Sequence, residues 1–365
     1  MPPNNVYICS TVRHLLFALC RAIYEHQQIH HIVFFQDYQD ASLDGWNLTD
    51  IPENIHVHLL LRADIRKHLQ ATLAGKASYL CAMRKIPAPG WLRKPLIQTL
   101  QSIDKELAAA LVNEPFPRLW LFNERNKMAR IFRLLVPTFS NIEEGEGNYV
   151  ELSLPWYKYL PRMLKGRPAH YRVMGDNPNC NEIWVLHPEN LPSLVHEKGR
   201  QIDFLDNPEI VNVLKRVFGA NFFAYPPDTV ILATQPLDGL PGLNLKAKQR
   251  IYAQIVDYIE SHGRTILLKN HPSENTADYE SLSEKIILAH NKIPVEALLL
   301  GLPDTRVLVS VFSTAGLGFE KFCRRIKLCN GEYSHTMAAM QTWADNPNEL
   351  ASVLDAQLKQ ALTED

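Results

Sequence analysis

Short apolar runs along the first part of the chain alternate with stretches in which apolar residues recur at helical spacing. The runs are residues 5–9, 31–37, 55–61, 118–124 and 138–142. Each has the length of a buried strand. After the first run, Ser10-Thr11 supplies helix-capping side chains, and apolar positions from Leu15 to Ile23 then follow a helical period. Strands that alternate with helices predict βαβ units and a parallel sheet.

The same alternation returns after a proline-containing segment, Ala224–Asp228. Strand-like runs cover residues 230–236, 265–272, 304–316 and 326–330, and helices are predicted from Lys246 to His262, near Tyr279–Lys285 and through Leu350, Leu354 and Leu358. A chain of 365 residues is also long for one core. The prediction is an α/β chain of two facing Rossmann-like domains, residues 1–225 and 226–365, with a central cleft.

Composition narrows the class of partner. Apolar residues make up 46% of the chain, and the net charge is −1, from 38 Lys and Arg against 39 Asp and Glu. This balance gives no reason to expect nucleic acid as a partner. The six cysteines lack metal-ligand spacing and are expected to be free thiols.

Targeting signals are also missing from the pattern. No charged leader precedes a clean apolar core, and no run approaches roughly 18 uninterrupted apolar residues. The protein is therefore expected to stay in the cytoplasm. Residues 77–98 and 155–171 mix aromatic, proline and basic residues, and each is expected to be a mobile loop or acceptor-binding edge, or else an irregular solvated connection. Because such residues also suit anionic lipid, contact with the inner face of the membrane is left open. Whether the chain forms a homodimer is also left open.

Three short motifs follow predicted strands in a fixed order. They are Glu143-Glu144-Gly145, His271-Pro272 and Ser313-Thr314. In an open α/β sheet, ligands bind at the carboxyl ends of the strands. The motifs therefore predict a site that contains a carboxylate, an imidazole and hydroxyl groups.

The acidic motif offers a candidate general base. Glu143 or Glu144 would take a proton from a sugar hydroxyl, most effectively if burial raises its pKa. The alternative is a solvated acidic turn. Asp238 ends the first strand of the second half and is a rival acid.

The other two motifs suit a phosphate. His271, held by Pro272, is expected to donate to a leaving phosphate, and Glu274 to accept from ribose hydroxyls; the alternative is a histidine that anchors a loop. A second such pair, His187-Pro188, shows that the dipeptide alone is weak evidence.

Ser313 and Thr314 are predicted to cap a helix that opens at Ala315-Gly316, with Gly316 allowing close approach of an anion. The alternative is a helix cap with no ligand.

The ordered motifs resemble those of the bacterial sialyltransferases, which share an acidic motif, a His-Pro motif and a Ser/Thr pair. The opening ICSTVRHLLFALCRA is also similar to the Cys-X-Thr-Pro-X-His-Leu-Leu start of the lipooligosaccharide sialyltransferases of glycosyltransferase family 52 and the related capsule polysialyltransferases. Here Val12 replaces the usual proline.

The resemblance implies a GT-B fold, with an N-terminal acceptor domain and a C-terminal nucleotide-sugar domain. It also implies inverting, metal-independent transfer from CMP-sialic acid, without a cofactor, to a galactoside or sialoside of a capsule or lipooligosaccharide glycan. Glu143 or Glu144 would be the base, His271 would assist departure of CMP, and Ser313 and Thr314 would hold its phosphate. Glu274 is a weaker candidate for the cytidine ribose.

Three other functions stay open at this point. The first is a transferase that uses another donor, such as CDP-glycerol or CMP-Kdo. The second is a sugar-nucleotide epimerase, and the third is a glycan-binding protein without catalysis.

Overall fold

The computed structural model describes residues 4–38, 43, 46–86, 89–112, 116–164, 166–219, 224–271, 273–290, 293–302, 306–330 and 333–363. By its contacts the chain divides into two compact units. One comprises Met1–Leu43 and Asn47–Val213, and the other Asp44–Trp46 and Leu214–Asp365. The acceptor and nucleotide-sugar roles of domains 1–225 and 226–365 stay predictions, as does the cleft between them.

The first unit is built on a parallel sheet. Its strands are β1 (Asn5–Cys9), β2 (His30–Phe35), β3 (Ile55–Leu60), β4 (Arg118–Leu121), β5 (Phe139–Ile142), β6 (Leu152–Ser153), β7 (Tyr171–Arg172), β8 (Cys180–Val185) and β9 (Gly199–Gln201). Seven of them pair in the order β3-β2-β1-β4-β5-β8-β9, all parallel, whereas β6 and β7 form a separate antiparallel pair. The strand order reverses between β1 and β4, which is the switch point where ligands of such sheets bind.

Helices cover this sheet and continue the chain toward the second unit. They are α1 (Val12–Tyr24), α2 (Arg62–Gln70), α3 (Leu73–Arg84), α4 (Arg93–Ile103), α5 (Lys105–Val112), α6 (Lys127–Phe132), α7 (Tyr159–Met163) and α8 (Pro208–Phe218). Every residue of β1 is buried, and one apolar core joins the sheet to helices α2 to α6. Thr11 caps α1 as predicted, since its Oγ1 accepts from the His14 backbone N–H at 3.2 Å.

The second unit repeats the plan with five parallel strands. These are β10 (Val230–Ala233), β11 (Ile266–Lys269), β12 (Ile286–Leu288), β13 (Arg306–Ser310) and β14 (Cys323–Lys327), in the order β12-β11-β10-β13-β14. The helices are α9 (Leu245–Ser261), α10 (Val295–Gly301), α11 (Tyr333–Asp345) and α12 (Pro347–Thr363). The predicted α/β class, with a parallel sheet in each half, is confirmed.

Several local predictions are confirmed. Ile251, Ile255 and Ile259 lie on the buried face of α9, which Asn244 caps by accepting from the Ala247 N–H at 3.0 Å. All six cysteines are free thiols, as expected, and all but Cys81 are buried. Among the described residues, no helix combines the length and apolarity that crossing a bilayer requires.

Three local predictions are wrong. The proposed helix near Tyr279–Lys285 is a series of turns before β12, because Tyr279 and Leu282 are too few apolar positions for a helical stripe. The irregular region expected at residues 77–98 contains most of α3 and the start of α4. The helix expected after Thr314 is also absent from this described segment: residues 315–318 form turns. Gly316 and Gly318 have φ of +70° and +82°, values that end a right-handed helix.

Candidate functional site

Glu143 follows β5 and is buried among hydrogen-bond donors. Its carboxylate accepts from the Leu186 backbone N–H at 2.8 Å, from the Tyr149 hydroxyl, and from Arg13 Nη2 at 3.3 Å. Only 1% of the Glu143 side chain is exposed. Burial raises the pKa of Glu143, and the nearby Arg13 guanidinium opposes that shift. Glu143 therefore ties α1, β5 and the end of β8 together and is closed to a substrate hydroxyl.

Glu144, the next residue, is half-buried and far less constrained. Its two carboxylate oxygens each lie 2.8 Å from Asn123 Nδ2, which follows β4. Its backbone N–H donates to Asn148 Oδ1 at 2.8 Å. Burial raises the pKa of Glu144, while the Asn123 hydrogen bonds oppose this. A positioned carboxylate with a raised pKa has the properties of a general base.

The histidine of the opening motif is part of the scaffold. His14 is buried, its Nδ1 accepts from the Ser10 backbone N–H at 3.2 Å, and its ring stacks on Phe122 with centroids 4.3 Å apart. Burial lowers the pKa of His14 to about 3. The imidazole is therefore neutral and orders the turn between β1 and α1.

In the second unit, the His-Pro and Ser/Thr motifs lie at one edge of the sheet. Ala233 at the end of β10 pairs with Lys269 on β11 on one side and with Ser310 on β13 on the other. Neighbouring strands are about 4.8 Å apart, so the ends of β11 and β13 are separated by roughly 10 Å. His271 and Ser313 thus begin their loops close enough to contact one nucleotide.

His271 is exposed, and its ring is oriented by its own loop. Nδ1 accepts from the Ser273 backbone N–H at 3.2 Å and lies 2.7 Å from Ser273 Oγ. An Nδ1 that accepts from a backbone N–H carries no proton, which places the proton of the neutral ring on Nε2. Burial, together with Lys269, lowers the pKa of His271, so the neutral form is favoured. Pro272 lies outside the described residues.

Glu274 anchors this loop from beneath. Its carboxylate accepts from the His271 backbone N–H at 3.0 Å, from Thr234 Oγ1 at 2.7 Å and from the Tyr279 hydroxyl. It also lies 3.5 Å from Lys248 Nζ, and only 1% of its side chain is exposed. The expected contact with a ribose is therefore not supported, because the oxygens of Glu274 already face protein donors.

Lys248 forms ion pairs with three acidic side chains of this unit. Its buried ammonium contacts Asp278 at 2.8 Å, Asp238 at 3.2 Å and Glu274 at 3.5 Å. Burial lowers the pKa of Lys248, but the hydrogen bonds to Asp278 and Asp238 outweigh it and raise the pKa overall. Asp238, the rival acid, keeps 35% of its side chain exposed, yet its charge is compensated by Lys248. It is a weaker base candidate than Glu144.

The hydroxyl motif lies in a loop held by backbone contacts. Arg325 donates to the Ala315 carbonyl at 2.8 Å and to the Ser313 carbonyl at 2.6 Å. Gln235 Oε1 accepts from the Phe312 N–H at 2.9 Å, which joins the ends of β10 and β13 at the switch point. Ser313 is half-buried and Thr314 is exposed. The loop is thus fixed without a helix, so no helix dipole contributes to anion binding here.

The structure gives a reason for glycine at position 316 that differs from the expected one. It is buried, and a Cβ there would lie 2.3 Å from Leu308 Cδ2 and 3.2 Å from Cys323 Sγ. Together with its positive φ, this close packing requires glycine. Gly316 therefore packs the loop onto the core, and its contact with a phosphate stays a prediction.

Four supporting residues were not found from the sequence: Arg13, Asn123, Lys248 and Arg325. Only Lys248 carried a usable signal, because it lies between Ala247 and Ile251 on the apolar stripe of α9, where a charged residue needs a partner. Among the described residues, no three His, Cys, Asp or Glu side chains cluster as metal ligands would.

Comparison with known proteins assigns the family. Residues 97–328 match the profile of alpha-2,8-polysialyltransferase (POLYST), which is more than half of the 365 residues. The chain belongs to the alpha-2,8-polysialyltransferase family. The predicted membership of the bacterial sialyltransferase superfamily is therefore confirmed, and the protein is a glycosyltransferase of the sialyltransferase type. No curated protein matches its sequence.

Several solved structures are similar to this polysialyltransferase-family chain. The alpha/beta-galactoside alpha-2,3-sialyltransferase of Photobacterium phosphoreum is 12% identical, with 95% of this chain and 96% of that chain covered and a TM-score of 0.45. A sialyltransferase GT-B domain from Photobacterium damselae is 13% identical, with 96% of each chain covered and a TM-score of 0.46. The UDP-GlcNAc 2-epimerase of Methanocaldococcus jannaschii is 10% identical, with 96% of this chain and 92% of that chain covered and a TM-score of 0.44. Transferases and an epimerase score alike, so these likenesses do not distinguish activities.

Proposed function

We propose that this protein transfers sialic acid, or a related nonulosonic acid, from its CMP donor to a hydroxyl group of a bacterial surface glycan. The observation that carries the proposal is the position of Glu144 after β5. Its carboxylate is half-buried, has a raised pKa and is held by Asn123. In a chain of a polysialyltransferase family, a carboxylate of this kind suits deprotonation of a sugar hydroxyl. The proposed acceptor is a sialoside of a capsule glycan, with a galactoside of lipooligosaccharide as the alternative.

In the proposed reaction, Glu144 takes the proton of the acceptor hydroxyl while the acceptor oxygen bonds to C2 of the sugar. The C2–O bond to CMP breaks, and its electron pair goes to the phosphate oxygen. Attack on the face opposite CMP inverts the configuration at C2. His271 Nε2–H donates to the departing phosphate oxygen and stabilises its charge.

Ser313 complements His271 on the phosphate. Its Oγ accepts from the Ala315 N–H at 3.0 Å, which leaves the hydroxyl proton to donate to an anion. Thr314 is exposed beside it. Because Arg325 fixes the carbonyls of Ser313 and Ala315, this donor is positioned before the nucleotide binds.

We further propose that the reaction needs no metal ion or cofactor. CMP leaves with one charged phosphate group, and hydrogen bonds from an imidazole N–H and from hydroxyl groups can stabilise it. The site of action proposed is the cytoplasm, at the inner face of the membrane.

The test measures CMP released from CMP-Neu5Ac with a sialylated oligosaccharide or a galactoside, with and without EDTA. Glu144→Gln should lower turnover by about 10² to 10⁴, the range of a lost general base. Glu146→Gln, a matched change at an exposed acid two residues on, should leave it unchanged.

Release of CMP only from CMP-Kdo, or turnover of CDP-glycerol in place of CMP-Neu5Ac, would contradict the proposed donor. Epimerisation without an acceptor would contradict transfer. Loss of turnover in EDTA would contradict the metal-independent mechanism.

A further inference from the structure

A cavity of about 930 Å³ lies within the first unit, beside the end of α3, helix α6 and the segment that contains α7. Ten arginine and lysine side chains line it, against two carboxylates, those of Glu124 and Asp176. Asp176 already contacts Arg162 at 2.6 Å and Arg167 at 3.5 Å. Burial, together with repulsion from Asp176, raises the pKa of Glu124. The cavity, which we call the basic cavity, therefore has a large excess of positive charge.

The arginines of the basic cavity are short of acceptors. Six of them have a buried side-chain nitrogen without a hydrogen-bond partner among the described residues: Arg93, Arg125, Arg130, Arg133, Arg167 and Arg172. Buried donors without acceptors are unfavourable, and native proteins contain few of them. These six nitrogens have almost no solvent-accessible area, so they show how closely the guanidinium groups pack. The excess of ten lining cations over two carboxylates indicates that a ligand offsets the charge. Guanidinium groups match phosphate and carboxylate oxygens in pairs, so the ligand is an anion.

One wall of this cavity presents apolar side chains to the outside. Trp156, Leu160 and Leu164 are 80%, 66% and 79% exposed, and they recur at helical spacing across α7 and its flanks. Lys158 and Arg162, on the same segment, line the cavity together with Tyr157 and Pro161. A surface helix normally buries its apolar face. Here the apolar face of Trp156, Leu160 and Leu164, which we call the docking face, is turned outward.

A second exposed apolar region borders the same cavity. Ile86, at the end of α3, lines the cavity and is 52% exposed, and Trp91, just before α4, is 66% exposed. A soluble anion accounts for the arginines but not for these exposed side chains. A ligand that has both an anionic group and an apolar part accounts for both observations. A membrane surface with anionic phospholipids has this combination.

We propose that the basic cavity receives the phosphate of an anionic glycerophospholipid headgroup, while the docking face lies in the membrane interface. Tryptophan suits that depth, because its ring is apolar and its N–H can reach the headgroup region. The cavity arginines hold the phosphate, and its negative charge offsets their mutual repulsion. This docking is tested separately from the proposed transfer reaction, because vesicle binding is measured without turnover; Arg125 of the cavity also lowers the pKa of Glu144.

The test is sedimentation of the full chain with phosphatidylcholine vesicles, with and without phosphatidylglycerol. Binding is expected only with phosphatidylglycerol and should weaken as salt rises. Each basic residue near such a surface contributes about five-fold to binding, so Arg125→Gln/Arg130→Gln should bind about 25-fold more weakly. The matched control is Lys246→Gln/Arg250→Gln, which removes two charges from the exposed side of α9 and should bind within about two-fold of the wild type.

A second variant pair separates docking from folding. Trp156→Ser/Leu164→Ser changes only strongly exposed side chains and should abolish sedimentation. Leu73→Ser, at an equally exposed leucine at the start of α3, should not. Thermal unfolding checks the arginine variant, which should not unfold earlier than the wild type, because it removes like charges from one cavity.

Three results would overturn the proposal. One is equal binding to vesicles of either composition. Another is full binding by both the Arg125→Gln/Arg130→Gln variant and the Trp156→Ser/Leu164→Ser variant. The third is stabilisation against heat by inorganic phosphate or glycerol phosphate without any vesicle binding, which would make the cavity a site for a soluble anion.

Discussion

Removal of either carboxylate of the acidic motif should have a different effect: loss of Glu143 should lower stability, and loss of Glu144 should lower turnover. Glu143→Ala removes one acceptor that the Arg13 guanidinium, the Tyr149 hydroxyl and the Leu186 N–H share. Breaking a buried ion pair on one side costs about 3–5 kcal/mol. The Arg13 side chain is 16% exposed, so water offsets part of this cost, and we expect about 3 kcal/mol.

That free energy should be visible as a lower unfolding temperature. For a unit of about 200 residues, 1 kcal/mol corresponds to roughly 2–4 °C, so Glu143→Ala should lower the midpoint by about 6–12 °C. Glu144→Ala loses only its contacts to Asn123 at a half-buried position. We expect at most about 1 kcal/mol there, with turnover reduced by about 10² to 10⁴.

Circular-dichroism melting and CMP release, measured on the same preparations, separate the two effects. The double variant Arg13→Leu/Glu143→Leu is the control, because removing both charges leaves neither one buried alone. It should therefore be more stable than Glu143→Ala. If Glu143→Ala melts like the wild type and loses turnover while Glu144→Ala stays active, the roles assigned to the two acids are reversed.

Three further predictions concern pH, the two His-Pro pairs and the buried lysine. The carboxylate of Glu144 is the active form, so turnover should fall as pH falls through its raised pKa, above the ordinary value near 4.3. Asn123→Ala removes the hydrogen bonds that lower this pKa and should therefore move the fall in turnover to higher pH. An unmoved pH profile would contradict this role of Asn123. His271→Ala should lower turnover by about 10² or more and His187→Ala should not; equal kinetic losses would remove the distinction. Lys248→Met leaves three carboxylates without their cation, so thermal unfolding should show a loss of about 3–5 kcal/mol, and an unchanged midpoint would refute it.

Periodicity in the sequence was enough to predict the parallel-sheet plan, because buried strands and the stripe on α9 are local patterns. It failed at α3 and α4, where the mixture of aromatic, proline and basic residues suggested irregular structure. Pro95 lies in the first turn of α4, and a proline in the first turn of a helix removes no intrahelical hydrogen bond. Pro95 is therefore compatible with a helix, although a proline in the sequence favoured irregular structure.

The site motifs were placed at strand ends by the same reasoning, but their roles depend on contacts distant in sequence. The Arg13 contact to Glu143 spans 130 residues. Nothing in the motif Glu143-Glu144 indicates which carboxylate would meet that guanidinium. The packing role of Gly316 was not predicted, because a glycine next to a Ser/Thr pair suits both a phosphate loop and a packed turn. Only the positions of Leu308 and Cys323 around it distinguish the two.

The contacts of Lys248 constrain how the second unit would respond to the proposed donor. Asp238 belongs to the loop after β10, and Glu274 and Asp278 to the loop after β11, so one ammonium crosslinks both loops to α9. Neither loop can shift without breaking an ion pair at a buried charge. The imidazole of His271 is accordingly set in place while the protein is empty, and donor binding loses little entropy in ordering it.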